Sequence, residues 1–147
     1  MKILVCTDNS KHSMKALKMA ARLAECCKDK VETIDIVHVY HVDLPVSDFH
    51  STVTYIEQYE FLHKFKKEEG EKILEAAAQV FTGVDAEVNT ILKEGHPAAT
   101  IIKMAATGNY DLIIMGSRGL GGLKKALLGS VSNAVLQEVQ TSVLIVK

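Results

Sequence analysis

The sequence predicts an α/β fold with a single, doubly wound open sheet of five parallel strands and helices on both faces. Short apolar segments alternate along the chain with longer segments of helical periodicity, the pattern of parallel strands joined by crossover helices. The segment Ile3-Leu4-Val5 is apolar without alternation, as expected for a strand covered on both faces. A chain of 147 residues can build its own core, so we expect residues 1–147 to form one domain.

Each element follows from an apolar run and its flanking residues. The predicted strands are residues 2–6, 33–40, 86–92, 112–115 and 142–146. The predicted helices are residues 11–27, 55–81, 97–107 and 130–140. The turn Asp8-Asn9-Ser10 supplies a cap for the first helix, and Pro97 occupies the first position of the third, where its missing N–H costs nothing. Residues 41–54 are polar, contain Pro45 and lack a helical period, so we expect a loop there.

The connections between the strands indicate where a ligand would bind. Right-handed crossovers between parallel strands leave few topologies. In open sheets of this kind, ligands bind beyond the carboxyl ends of the strands, at the point where the strand order reverses. Polar groups follow the strands at that edge: Thr7-Asp8 after strand one, Gly95-His96 after strand three and residues 116–119 after strand four.

The glycine-rich segment after strand four is the strongest functional signal in the chain. Gly116-Ser117-Arg118-Gly119 is followed by nine residues and then by Gly129-Ser130 at the start of a helix. Glycines let the backbone approach an anion closely, and the unpaired N–H groups of a helix start point at it. A single glycine would suggest only a turn, but Gly121 and Gly122 stand close by. The pattern therefore predicts a phosphate site, in which Ser130 and Ser132 add hydroxyl groups.

Asp8 and Arg118 are the charged residues expected at this site. If strands one and four are neighbours, Asp8 faces the glycine-rich segment across the crevice. A carboxylate repels phosphate, so Asp8 would bond a ribose hydroxyl or hold a divalent cation, Mg²⁺ or Mn²⁺, that bridges to phosphate. The alternative is that Asp8 only helps Ser10 to cap the first helix. Arg118 would either contact phosphate or stay solvated.

Composition excludes several classes of function. Lys and Arg total 17 against 18 Asp and Glu, which argues against a general affinity for nucleic acid or for acidic membranes. No apolar run reaches membrane-spanning length, and the first strand leaves no room for a signal peptide. Three cysteines, two of them adjacent at Cys26 and Cys27, do not form a disulfide framework. We therefore expect a protein of the reducing cytoplasm.

The sequence does not match other common nucleotide-binding, metal-binding or catalytic motifs. The Walker pattern would need a lysine after Gly121, and Lys124 occupies the third glycine position of the dinucleotide pattern. His38 and His41 do not form a metal pair, since positions three apart in a strand point to opposite faces. Cys6 has no obvious base beside it, so a buried, inert thiol is expected. We find no catalytic Ser/His/Asp or paired-carboxylate arrangement in the sequence.

These motifs together resemble the universal stress protein family. The resemblance covers essentially the whole chain, and G-x2-G-x9-G-[S/T] is the signature of that family's ATP-binding branch. It implies a Rossmann-like fold of the adenine nucleotide alpha hydrolase-like type, with strand order 3-2-1-4-5 and a bound ATP, ADP or AMP. The backbone of Val39 would recognise adenine. The implied binding residues are Cys6, Thr7, Asp8, Val39, Gly116, Ser117, Arg118, Gly119, Gly129, Ser130, Val131 and Ser132. One departure is Cys6, which stands where many relatives have proline or alanine.

The resemblance also implies a homodimer that pairs through strand five, Ser142–Val146. The sequence supports this independently, because Val143-Leu144-Ile145-Val146 is apolar on both faces. If strand five lies at the edge of the sheet, its unpaired backbone groups invite a second chain. Pairing with a twofold copy satisfies them.

Two functions from different classes fit these observations. The first is an ATP-binding regulatory or stress-survival protein that responds to its nucleotide, since a phosphate site is present without a recognisable base or nucleophile. The alternative is an enzyme, a slow ATP hydrolase or an adenylyl-transfer protein that uses Asp8 and a divalent metal.

Overall fold

The computed structural model describes residues 1–44, 52–121 and 128–147. Five strands alternate with four helices along the described chain. The strands are β1 (Lys2–Cys6), β2 (Thr33–Tyr40), β3 (Glu87–Glu94), β4 (Leu112–Gly116) and β5 (Ser142–Val146). The helices are α1 (Lys11–Cys26), α2 (Thr52–Gln79), α3 (Pro97–Thr107) and α4 (Ser130–Glu138).

The five strands form one parallel sheet in the order β3-β2-β1-β4-β5, as the resemblance implied. β1 pairs with β2 from Lys2↔Thr33 to Cys6↔Val37, and with β4 from Ile3↔Leu112 to Val5↔Ile114. The strand order reverses at β1, because the chain continues to β2 on one side and later returns to β4 on the other. The predicted doubly wound α/β class is confirmed.

The element bounds differ from the predicted ones in two informative places. α2 begins at Thr52, so the last residues of the predicted loop 41–54 are helical, since extending a formed helix adds a hydrogen bond with each residue. Residues 45–51 of that loop lie outside the described residues. β3 continues to Glu94 beyond the predicted end at residue 92. Its last two residues, Lys93 and Glu94, are polar and pair with Val39 and Tyr40, so an apolar run could not reveal them.

Two apolar layers cover the sheet. One lies between the sheet and helices α1 and α2, and includes Val5, Leu17, Ile36 and Leu74. The other lies on the opposite face, with Leu4, Val37, Ile101, Met115 and Val135 among its members. Strand residues alternate between the layers, as the pleat requires. None of the helices that the structure describes is long and apolar enough to cross a membrane, and the cytoplasmic location stays a prediction.

A polar cluster closes the amino end of the sheet. The Tyr110 hydroxyl donates to Asp35 Oδ2 at 2.7 Å, and the Asn89 amide donates to Asp35 Oδ1 at 3.1 Å. Lys2 Nζ lies 3.3 Å from Asp35 Oδ2 and 4.6 Å from the centre of the Tyr110 ring. Asp35 is only 5% exposed, and these partners supply the hydrogen bonds that its buried oxygens would otherwise lose with water. Burial first, and then the hydrogen bond to Asp35, raise the pKa of Tyr110.

Tyr110→Phe should lower the free energy of unfolding near neutral pH by about 1–3 kcal/mol, because a buried carboxylate loses a donor. The folded state also holds the Tyr110 proton more tightly than the unfolded chain does. Stability should therefore fall as pH rises above about 10, where an unperturbed tyrosine ionises. Urea denaturation across this range should give a shallower alkaline loss for Tyr110→Phe than for the wild type. Tyr55→Phe, at an exposed tyrosine, is the control, and identical slopes in wild type and Tyr110→Phe would contradict this prediction.

Candidate functional site

A pocket lies at the carboxyl ends of β1 and β4, where the strand order reverses. All the residues expected to bind the nucleotide line it, except Ser117. Those lining residues are Cys6, Thr7, Asp8, Val39, Gly116, Arg118, Gly119, Gly129, Ser130, Val131 and Ser132. The position agrees with the expectation that ligands of doubly wound sheets bind at the reversal point.

The apolar wall of the pocket was missed by sequence reasoning. Ser13 and seven mostly apolar residues complete the lining: Val37, Pro97, Ile101, Met115, Leu120, Gly121 and Leu128. In the sequence the strand and helix residues among them look like ordinary core residues of β2, α3 and β4. Their position at the carboxyl ends of neighbouring strands is the signal that could have found them. The wall offers a planar ring an apolar contact surface.

Cys6 sits at the inner end of the pocket and is almost fully buried. Burial, with a smaller contribution from the nearby Asp8 carboxylate, raises the pKa of the Cys6 thiol to about 12. The thiol therefore stays protonated at physiological pH, and the thiolate that a nucleophile needs does not form. This agrees with the interpretation of Cys6 as an inert, space-filling residue.

Asp8 reaches across the crevice to the glycine-rich segment. Its Oδ1 accepts a hydrogen bond from the Ser10 amide at 3.0 Å, and its Oδ2 accepts one from the Leu120 amide at 3.2 Å. The cap of α1 is Ser10, whose hydroxyl oxygen accepts from the Ser13 amide at 3.1 Å. Asp8 thus supports the turn before the helix and also lines the pocket. Its role toward a ribose hydroxyl or a cation stays a prediction.

The missing side chains at Gly116 and Gly119 allow the glycine-rich segment to lie close to α1 and to Asp8. A Cβ at Gly116 would lie 2.7 Å from the His12 carbonyl carbon and 2.8 Å from the Ser13 amide nitrogen. A Cβ at Gly119 would collide with Asp8 Oδ2. The end of β4 therefore passes directly against the first turn of α1, and the segment beyond it meets the Asp8 carboxylate.

Ser117 is buried and holds the glycine-rich segment from behind. Its amide donates to the Val146 carbonyl at 2.7 Å. Its carbonyl accepts from the Gly129 amide at 2.8 Å and from the Ser132 hydroxyl at 3.1 Å. The Ser132 hydroxyl also lies 3.0 Å from the Gly129 carbonyl, so its single proton is used inside the segment. Ser117 and Ser132 thus shape the segment.

The amino end of α4 opens toward the pocket. Gly129 is the N-cap residue in an extended conformation and has no side chain with which to cap the first turn. The first N–H groups of a helix have no partner within the helix and carry a partial positive charge. Ser130 and Val131 line the pocket at this point. An uncapped first turn beside a cavity is suited to accept an anion.

Arg118 lines the pocket from the glycine-rich segment and is half-buried. Its carbonyl oxygen lies 3.4 Å from the Ser10 hydroxyl, which connects the segment to the start of α1. Arg118 carries a full positive charge, and the start of α4 lines the same pocket with amides of partial positive charge. A lining with both features is suitable for phosphate.

The described residues contain no group of three His, Cys, Asp or Glu side chains that could hold a metal ion by themselves. His38 Nδ1 lies 2.9 Å from the Thr7 carbonyl oxygen, and His41 Nε2 lies 2.9 Å from Asp43 Oδ1. The two histidines thus have separate partners. Asp8 carries the carboxylate that lines the pocket, so a cation bound there would need further ligands from the nucleotide itself.

Comparison with known protein families and curated proteins gives a consistent result. The family described as "Universal stress protein family" matches residues 1–147. Universal stress protein YxiE of Bacillus subtilis is 36% identical over 149 residues, which cover 99% of this chain and 98% of that protein.

Solved structures of related proteins share the fold. The structure of hypothetical protein MJ0577, from Methanocaldococcus jannaschii, aligns with a TM-score of 0.78 at 31% identity and covers 99% of this chain and 94% of that one. A universal stress protein in complex with cAMP aligns with a TM-score of 0.68 at 24% identity, covering 100% of this chain and 97% of that one. An Arabidopsis thaliana universal stress protein family protein with AMP bound aligns with a TM-score of 0.67 at 19% identity, covering 100% and 91%.

Gly116→Ala should destabilise the protein, because the added methyl group meets backbone atoms of α1 that cannot move alone. We expect the free energy of unfolding to fall by about 1–3 kcal/mol, measured by urea denaturation. Gly121→Ala is the matched control, since a Cβ there meets none of the described atoms within 4 Å. That control should change the free energy by less than about 0.5 kcal/mol. Equal midpoints for the two variants would show that β4 and α1 are less closely packed than described.

Proposed function

The chain belongs to the universal stress protein family, and we propose that it binds ATP in the pocket between β1 and β4 and acts as a nucleotide-responsive regulatory or stress-survival protein. The uncapped first turn of α4 beside the glycine-rich segment is the observation that carries this proposal. The lining of this one pocket combines the partial positive charge of a helix start, glycines that allow close backbone approach and the positively charged Arg118. A nucleotide phosphate matches that combination.

Each part of the nucleotide has a matching part of the pocket. Adenine would lie against the apolar wall and meet the backbone of Val39. The ribose hydroxyls would donate to Asp8 and lie near Gly116. The phosphates would occupy the start of α4, from Gly129 to Ser132, with Arg118 beside them. Ser117 belongs to this set as support for the segment, since it is buried outside the pocket lining.

Ligands of related proteins support the adenine part of the proposal. Solved universal stress proteins hold cAMP, dAMP or AMP. Each is an adenine nucleotide with one phosphate. The site described here extends from the apolar wall to the helix start and Arg118, which favours a longer phosphate tail. We therefore propose ATP as the preferred ligand, with ADP and AMP as weaker ones.

A divalent cation fits the proposal as part of the bound nucleotide. Each carboxylate oxygen of Asp8 accepts one hydrogen bond from a backbone amide and retains a second lone pair. Mg²⁺ or Mn²⁺ prefers oxygen ligands and usually takes several of them from substrate phosphates. Asp8 would supply the protein oxygen, and the phosphates would supply others.

The alternative function is slow ATP hydrolysis or adenylyl transfer that depends on Asp8. Both Asp8 oxygens already accept backbone hydrogen bonds, which suits a positioning carboxylate better than a base that must take a proton from water. Release of phosphate, for hydrolysis, and of pyrophosphate, for adenylyl transfer, is compared between the wild type and Asp8→Ala to separate the two functions. Turnover of about one per second or faster that Asp8→Ala abolishes would favour the enzyme.

We further propose a homodimer that pairs through β5. The two edges of the sheet differ in a way that favours this strand. β3 carries the exposed charges Glu87, Lys93 and Glu94, which discourage pairing with another chain. β5 presents the half-buried, uncharged residues 143–145. A twofold copy would pair with the β5 backbone and cover these side chains.

Ser130→Asp should lower the affinity for ATP by about tenfold or more, because its carboxylate would face the phosphates across a short distance. The fold should be retained, since a carboxylate in the first turn of a helix is favourable. Isothermal titration should show the largest loss of affinity for ATP, a smaller loss for AMP and almost none for adenosine.

Asn133→Asp is the matched control for this titration. It adds the same charge to the same helix at an exposed position outside the pocket lining, and it should bind ATP nearly as well as the wild type. If the wild type gives no heat with any adenine nucleotide, the proposed function is wrong. If both variants bind equally, the phosphates lie elsewhere.

Ile145→Lys should convert the proposed dimer into a monomer, because a charge in the middle of β5 would be buried at the interface. Sedimentation velocity measures the change, and circular dichroism checks that the variant remains folded. Thr90→Lys, at an exposed residue of the opposite edge strand, is the matched control and should stay dimeric. A wild type that sediments as a monomer at high concentration would end this part of the proposal.

A further inference from the structure

We propose that His38 is a positioning residue for the nucleotide site: it holds the Thr7-Asp8 turn in place from the opposite face of the sheet. The inference rests on the proposed nucleotide binding and concerns a residue that does not line the pocket. His38 belongs to β2 and is 9% exposed. Its effect on the ligand would pass through Asp8.

The hydrogen bond of His38 fixes which ring nitrogen carries a proton. Nδ1 lies 2.9 Å from the Thr7 carbonyl oxygen. A carbonyl oxygen only accepts hydrogen bonds, so Nδ1 must be the protonated nitrogen for this bond to exist. The His38 side chain of β2 therefore donates to the main chain directly after β1.

This bond extends the connection between β1 and β2 beyond the end of their pairing. The paired register ends at Cys6↔Val37. One residue further, the Thr7 amide donates to the Val37 carbonyl at 2.9 Å, while the Thr7 carbonyl receives the His38 ring. Both polar groups of the Thr7 main chain are thus bound to β2. The peptide that leads into Asp8 has a fixed orientation.

The turn that follows needs such support. Asn9 adopts a left-handed conformation, with φ of 63°, which reverses the chain direction sharply and which Asn tolerates better than most residues. Asp8 lies between this turn residue and the fixed Thr7. Its carboxylate reaches the Leu120 amide at 3.2 Å on the far side of the crevice. A shift of the Thr7 peptide would turn this carboxylate away from the ribose and the cation proposed for it.

Helix α2 secures the His38 ring on its other side. A Cβ at Gly70 would lie 2.6 Å from Leu92 Cδ1 and 3.0 Å from His38 Cδ2, so the missing side chain lets the helix lie directly against the ring. Glycine inside a helix costs roughly 0.5–1 kcal/mol. The close contact limits the access of water to the bond between His38 and Thr7, which strengthens it.

A double-mutant cycle tests whether His38 acts through Asp8. The dissociation constant for Mg-ATP is measured by titration calorimetry for the wild type, His38→Leu, Asp8→Ala and the double variant. His38→Leu should raise the constant by about tenfold in the wild-type background, because the turn loses its donor. In the Asp8→Ala background the same substitution should change it by less than about twofold. Equal effects in both backgrounds would overturn the inference.

Two conservative variants separate positioning from general destabilisation. The amide nitrogen of Asn can occupy the place of Nδ1, whereas that of Gln extends to the place of Nε2. His38→Asn should therefore restore ATP affinity toward the wild-type value, and His38→Gln should bind as weakly as His38→Leu. Tyr110→Phe removes a buried hydrogen bond at the opposite end of the sheet and should leave the affinity unchanged. Wild-type affinity in folded His38→Leu and His38→Gln would refute the role of His38.

A measurement on the wild type keeps the inference testable if the variants fail to fold. Nitrogen NMR of the imidazole rings distinguishes a ring protonated at Nδ1 from one protonated only at Nε2. We expect His38 to carry a proton on Nδ1 with and without Mg-ATP. A ring protonated only at Nε2 would contradict the inference, whereas the absence of any binding by the wild type would contradict the proposed function instead.

Discussion

The pairing of β1 with β4 is the constraint on which the rest of the site depends. Because β1 lies between β2 and β4, the strand order reverses at β1. The connections that follow β1 and β4 therefore diverge, and a crevice remains at the carboxyl ends of these two strands. The same pairing brings the Asp8 carboxylate to the Leu120 amide, although the two residues are 112 positions apart. It requires close backbone contact at Gly116 and Gly119, where a Cβ would meet α1 or Asp8.

The two ends of the sheet use polar groups for different purposes. At the amino end, the buried Asp35 carboxylate is paired with Lys2 and Tyr110, so its polar atoms are satisfied within the fold. At the carboxyl end, the N-cap residue of α4 is a glycine without a capping side chain, and each Asp8 oxygen accepts one backbone hydrogen bond and keeps a second lone pair beside the pocket. Groups left in that state are available to a ligand. The polar groups that are paired within the fold and those that would bind the nucleotide thus lie at opposite ends of the sheet.

Both turns at the pocket are fixed by hydrogen bonds to neighbouring strands and helices. Ser117 links the glycine-rich segment to Val146 of β5 and to the start of α4. Thr7 is bound to β2 through the Val37 carbonyl and the His38 ring. Through Ser117, the segment proposed to hold phosphate is one hydrogen bond from the edge strand proposed to pair with a second chain.

The sequence by itself determined the α/β class, because buried parallel strands and amphipathic helices leave distinct apolar patterns. It also pointed to the glycine-rich segment and to Asp8 as residues at the end of the crevice, because glycines before a helix start and a carboxylate after a strand are readable from the sequence alone. It did not reveal the apolar wall with Ile101 and Met115, the polar end of β3, or the supporting contacts of Ser117 and His38. Those depend on which strands lie side by side and on which main-chain groups remain unpaired after folding. Such facts arise from contacts between distant residues, so only the tertiary structure could decide them.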